Sequence, residues 1–189
     1  MKHCITSANS GARSEPELAI EFAVTAEEFG FESLWTVEHV VVPGEMNSRY
    51  PYTEDGSMPG GPDLPIADPF VWLSFVAGVT RTITLGTALL VLPLHHPLRL
   101  AKSIASLDRL SAGRLAIGVG VGWLREEVEL LDLPWADRGA RADEQIAALR
   151  ALWSAGSTTF CGDFYRCDDR RAFPKPVQSG GPPIIGGGH

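Results

Sequence analysis

The chain has 189 residues, 44% of them hydrophobic and 21% charged, with a formal net charge of −7. That length and mix suit one soluble domain with enough apolar content for a core. An acidic balance without a basic stripe argues against a nucleic-acid partner, and no apolar run reaches the roughly 18 residues of a membrane span.

In chain order, the opening MKHCITSANSG lacks the apolar centre of a signal peptide, so a cytoplasmic location is expected. HCITS (3–7) reads as a weak first strand. EPELAIEFAVTAEEFG (15–30) reads as a helix, with Leu18, Phe22, Ala26 and Phe29 at helical spacing and Gly30 as C-cap. ESLWTVEH (32–39) is a strand. Residues 40–67 form a long loop rich in Pro, Gly and Tyr, the kind of segment that covers a site or lacks order.

Asp68 N-caps a helix with Pro69 at its first position, running to about Thr80. ITLGTALLV (83–91) is a strand, and Pro97 opens a helix closed by Gly113. GRLAIGVGVGW (113–123) is a strand with its turn, followed by helices over 124–133 and 139–154. Residues 157–168 form a hairpin insertion around Gly162-Asp163, and PPIIGG is the fifth strand of the main series. Strand and helix in alternation imply βαβ units and a parallel sheet, either a doubly wound open sheet or a (β/α)8 barrel. No internal domain boundary appears in 1–189.

Few residues carry recognisable chemistry. Cys4, Cys161 and Cys167 are odd in number and unpaired in spacing, which argues against a disulfide framework. No neighbouring Cys or His completes the roughly four ligands of a zinc site, so no metal is expected. Arg138 with Arg141, and Arg166 with Arg170 and Arg171, are interleaved with acids and read as solvated surface. Gly118, Gly120 and Gly122 alternate within a strand, so they share one face that something approaches closely. Tight packing and a flat ligand both satisfy that pattern. His39 ends the second strand, where a barrel keeps its catalytic groups, and Glu38 stands ready to orient it. His95 and His96 precede the helix at Pro97 and read as solvent-facing caps. Trp123 either stacks on a ring or packs.

ELAIEFAVTAEEFGFESLWTVEHVVVP, RYPYTEDG, the long run from ITLGTALLV through RADEQIAALRALW, and PKPVQSGGPPIIGGG together resemble the luciferase-like monooxygenase family, nearest its deazaflavin-dependent oxidoreductases. The resemblance implies a (β/α)8 TIM barrel of which this chain supplies about the first five βα units. It also implies coenzyme F420 (a deazaflavin), or alternatively FMN, lying across the C-terminal strand ends. His39 then stands beside the redox ring, with Glu38 where the family usually has Asp. A non-proline cis peptide is implied near Ala88-Leu89, with Thr87 beside it. Val119, Gly120, Val121, Gly122 and Trp123 would line the ring and its ribityl chain, and Gly186, Gly187 and Gly188 would meet the phosphate. Arg49, Tyr50 and Tyr52 of the long loop would cover a small organic substrate.

Some deazaflavin sugar-phosphate dehydrogenases carry a Glu where this chain has Trp123, which puts that chemistry in doubt. The family also continues through three more strands and helices. Truncation from a longer protein, completion by a second chain in a homodimer, and a natural half-barrel are the three accounts of that difference.

Overall fold

The structure is a computed structural model that describes residues 3–187. Its strands are β1 (Cys4–Ile5), β2 (Ser33–Thr36), β3 (Thr84–Val91), β4 (Leu115–Gly120), β5 (Thr158–Cys161), β6 (Arg166–Arg170) and β7 (Ile184–Gly186). Its helices are α1 (Pro16–Glu28), α2 (Pro69–Ala77), α3 (Pro97–Leu110), α4 (Arg125–Leu130) and α5 (Arg138–Trp153). β1, β2, β3, β4 and β7 form one parallel sheet in that spatial order, while β5 and β6 pair antiparallel as a separate hairpin. A doubly wound sheet reverses its strand order at a switch point. Here each new strand adds on the same side, as in a barrel wall, which decides between the two architectures.

The local signals act where the sequence places them. Asp68 accepts the Val71 N–H at 2.9 Å ahead of Pro69, capping α2. His96 caps α3 by accepting from Leu98 N, and Gly30 and Gly113 leave their helices with positive φ. The hairpin extends to Arg170, slightly past its predicted end. Leu34, Leu85, Leu90, Ile117 and Leu149 are completely buried between sheet and helices.

One predicted face is corrected. The periodicity of α1 points to Leu18, Phe22, Ala26 and Phe29, yet the buried residues are Ala19, Ala23 and Ala26, while Phe29 is 79% exposed. Small side chains let α1 approach the sheet. The large ones instead border an open apolar groove with Ile5 and Phe31, beside the edge of β1 that no described strand covers.

At the N-terminal ends of the strands, charged side chains hold loops by their backbone. Glu27 of α1 accepts from the N–H groups of Arg81, Thr82 and Ile83 and from the Thr82 hydroxyl. Asp108, fully buried in α3, accepts from Val177 N, Gln178 N and Gln178 Nε2. Burial alone would raise the Glu27 carboxyl, but the hydrogen bonds from Ile83, Thr82 and Arg81 outweigh it and hold the pKa at about 2.

Because the folded pKa lies below the unfolded one, this stabilisation is complete above about pH 5 and fades as the pH falls toward 2. Glu27→Ala is therefore expected to cost about 2 kcal/mol at pH 7 and much less at pH 2.5. Urea midpoints at the two pH values check this; an equal loss at both would refute the charged role.

Candidate active site

A cleft of about 440 Å³ opens at the C-terminal ends of β2, β3, β4 and β7. Its floor comes from an irregularity between β3 and β4. Thr87 pairs with Ile117 and Leu90 with Val119, so Ala88 and Leu89 together face Gly118 alone. The Ala88–Leu89 peptide is cis, at the position the resemblance implies. Leu89 lies across the glycines: a Cβ added at Gly120 would meet Leu89 Cδ1 at 2.8 Å, and one at Gly187 would meet Leu89 Cδ2 at 2.7 Å. A Cβ at Gly118 would lie 2.1 Å from the Thr87 carbonyl oxygen. Packing thus accounts for the alternating glycines at 118 and 120, and the outcome is a flat apolar floor of Ala88, Leu89, Val91 and glycine backbone.

Aromatic rings line the cleft as well. Trp123 meets His39 edge-on, with centroids 5.7 Å apart, and meets Tyr50 at 5.2 Å; Tyr50 in turn meets Tyr52 at 5.4 Å. Burial, then the neighbouring Tyr52, raises the Tyr50 phenol above its ordinary value, so that hydroxyl stays neutral.

Three carboxylates organise the polar rim. Glu127 of α4, 2% exposed, accepts from Val40 N at 2.5 Å and Val41 N at 3.2 Å through Oε1, and meets His39 Nδ1 at 2.9 Å through Oε2. Glu126 accepts from Asn47 N and Ser48 N, which ties the long loop to α4. The Ser48 side chain, with the backbone N–H groups of Glu126, Ser48 and Asn47, outweighs desolvation and holds the Glu126 pKa at about 2. Glu38 does not orient His39. Its oxygens accept from Val91 N at 2.6 Å and meet His95 Nε2 at 2.7 Å. Consecutive residues of an extended segment point to opposite sides, so Glu38 turns from the histidine that follows it. His95 is accordingly a buttress rather than a solvent-facing cap.

Of the residues singled out from sequence, His39, Glu38, Tyr50, Tyr52, Ala88, Leu89, Gly120, Val121, Gly122, Trp123 and Gly187 line the cleft. Thr87, Val119, Gly186 and Arg49 do not. Thr87 is buried and donates its hydroxyl to Gly118 O, and Val119 is buried in the core. Nothing lies within 4 Å of a Cβ added at Gly186. Arg49 braces its own loop through the carbonyls of Glu54 and Asp55. Gly188 lies outside the described residues.

The structure adds Val37, Pro51, Val91, Glu127, Trp135 and Arg138 to the cleft. Arg138 corrects its reading as solvated surface: its guanidinium stacks on Trp135 at 3.7 Å, and the Arg-to-Trp spacing of three at the start of α5 was the signal for that pair. Among the described residues, no group of three or more His, Cys, Asp or Glu is placed to hold a metal ion, and no helix is long and apolar enough to cross a membrane.

A flat apolar floor, an aromatic wall and one imidazole suit a planar ring with few polar edges. Fold and cleft define the class: an α/β protein of the TIM-barrel kind with its candidate site at the carboxyl ends of the parallel strands. The chain belongs to the luciferase-like monooxygenase family, which it matches over residues 2–189.

It is 37% identical over 161 residues to an uncharacterized protein of Mycobacterium tuberculosis, covering 85% of this chain and 57% of that one. It is 33% identical over 174 residues to an F420-dependent glucose-6-phosphate dehydrogenase of Nakamurella multipartita, covering 87% and 46%. Among solved structures, a monooxygenase from Streptomyces bottropensis superposes with a TM-score of 0.76 at 28% identity, covering 98% of this chain and 53% of that one. The chain therefore spans about half the length of the relatives it matches. The family is one of flavin- and F420-dependent oxidoreductases.

Proposed function

We propose that the cleft holds the ring of a reduced deazaflavin (F420) or of FMN, in an oxidoreductase acting on a small organic substrate by hydride transfer or monooxygenation. The observation that carries this reading is that the apolar floor at Ala88, Leu89 and Gly120 and the rings of His39 and Trp123 line one and the same cleft. Relatives of both kinds support it, one named as F420-dependent and one as a monooxygenase. When bound, such a cofactor supplies the hydride or the activated oxygen.

The chain's own residues would do the rest. The floor would fix the ring plane, and Gly120, Val121 and Gly122 would border it. Gly187, whose own N–H already donates to Val119 O at 3.0 Å, would border the phosphate end with its backbone. His39 would hold or release the proton that accompanies the hydride. Tyr50, Tyr52 and Trp123 would cover the substrate and exclude water. Trp123 offers no carboxyl, which disfavours the sugar-phosphate chemistry of some deazaflavin relatives.

Titrating the purified chain with coenzyme F420 and, separately, with FMN tests this. Saturable fluorescence quenching by one of them is expected, and neither quenching would refute the reading. A second reading, a non-catalytic barrel segment that assembles with itself as a homodimer or with a partner, is favoured by the edges of β1 and β7 that no described strand covers. Sedimentation that shows an assembly with no binding of either cofactor would support it.

A further inference from the structure

From the geometry of the cleft we infer that Glu127 is a positioning residue that selects which ring nitrogen His39 presents to the ligand. The inference deepens the reading of the cleft as a cofactor and substrate site, and rests on that reading for its meaning. Glu127 lies 88 residues from His39 in sequence and is buried to 2% exposure, yet its side-chain hydrogen bonds among the described residues converge on residues 39–41. Oε1 takes two backbone N–H groups, and Oε2 faces His39 Nδ1 at 2.9 Å.

A carboxylate only accepts hydrogen bonds, so the proton of the neutral imidazole sits on Nδ1. Nε2 is left as the lone-pair nitrogen, and among the described residues it has no hydrogen-bond partner. Trp123, edge-on to the ring at 84°, fixes the plane in which Nε2 points. His39 therefore meets its ligand as a hydrogen-bond acceptor, and the complementary ligand carries an O–H or N–H at that place. A buried carboxylate that orients a functional imidazole and sets its tautomer is a recurrent device in enzymes.

The Glu127→Gln variant separates this role from plain packing. The amide carbonyl is held by the Val40 and Val41 N–H groups, so the amide nitrogen must face Nδ1. It can only donate there, which drives the ring proton to Nε2. Long-range ¹H–¹⁵N spectra of the labelled chain, recorded at alkaline pH without any cofactor, read the tautomer directly. The His39 signals are identified by their absence in His39→Gln. The expected result is an Nδ1–H imidazole in the wild type and an Nε2–H imidazole in Glu127→Gln.

An Nε2–H imidazole in the wild type overturns the inference whether or not the variant folds, and so does an unchanged tautomer in a folded variant. Because no cofactor is present, failed cofactor quenching with the expected tautomers would sink the proposed function and leave this inference standing.

Discussion

Gly118→Ala is expected to abolish folding or to cost more than about 4 kcal/mol. The added Cβ would sit 2.1 Å from the Thr87 carbonyl oxygen, a backbone atom inside the sheet. That oxygen has no rotamer to escape through, because Thr87 and Gly118 lie on neighbouring paired strands and the Thr87 hydroxyl also bonds Gly118 O at 2.8 Å. Two further glycines, at 120 and 186, provide a graded comparison. At Gly120 the clash is with Leu89 Cδ1 at 2.8 Å, the end of a flexible side chain, so Gly120→Ala is expected to cost about 1–3 kcal/mol and to push Leu89 into the cleft. At Gly186 nothing lies within 4 Å, and alanine is expected to be close to neutral. Urea unfolding of the three variants gives the order directly. A Gly118→Ala chain as stable as Gly186→Ala would mean that β3 and β4 do not pair in this register.

Arg114→Met is expected to cost about 3 kcal/mol without altering the cleft. Arg114 lies between α3 and β4, at the opposite end of the strands from the site. Its guanidinium donates to the carbonyls of Ser111, Ile83, Ala77 and Thr80 and to the Thr80 hydroxyl, at 2.8 to 3.4 Å. It thus ties the end of α2 and the start of β3 to the turn before β4. Burial lowers its pKa from the ordinary value, the cost of holding a cation among these carbonyls. Methionine keeps the apolar stem but leaves those carbonyls without their donor. Lysine cannot span five acceptors with one ammonium, so Arg114→Lys is expected to recover less than half of the loss. Chemical unfolding measures both. A change below about 0.5 kcal/mol for Arg114→Met would show that water replaces these bonds at no cost.

The order of elements was legible because its signals are local. Pro69 and Pro97 open helices, Gly30 and Gly113 close them, and β-branched runs mark the strands between. His39 was legible for the same reason, as a histidine at the end of a strand. Its partner was not. Glu127 sits in the run REEVEL, whose three glutamates look alike in sequence, although only Glu127 turns fully into the protein. Trp135 and Arg138 were hidden in a similar way, since interleaved acids suggest solvent and only the stacked pair shows otherwise. The face of α1 was misread because helical spacing reports which residues share a side, not how close the sheet comes.

By itself, then, the sequence determined the alternation of strand and helix, the parallel sheet and the histidine just past the end of β2. These follow from backbone preferences and residue types that act over a few neighbours. The tertiary structure alone decided that the strands add in barrel order and that the Thr87 carbonyl and Leu89, rather than a ligand, fill the space over Gly118 and Gly120. It also decided that Glu127, and not Glu38, holds His39. Those outcomes depend on which distant backbone amides and side chains meet in a buried volume, and a buried carboxylate goes to the donors that geometry brings within 3 Å of it rather than to the histidine next to it in sequence.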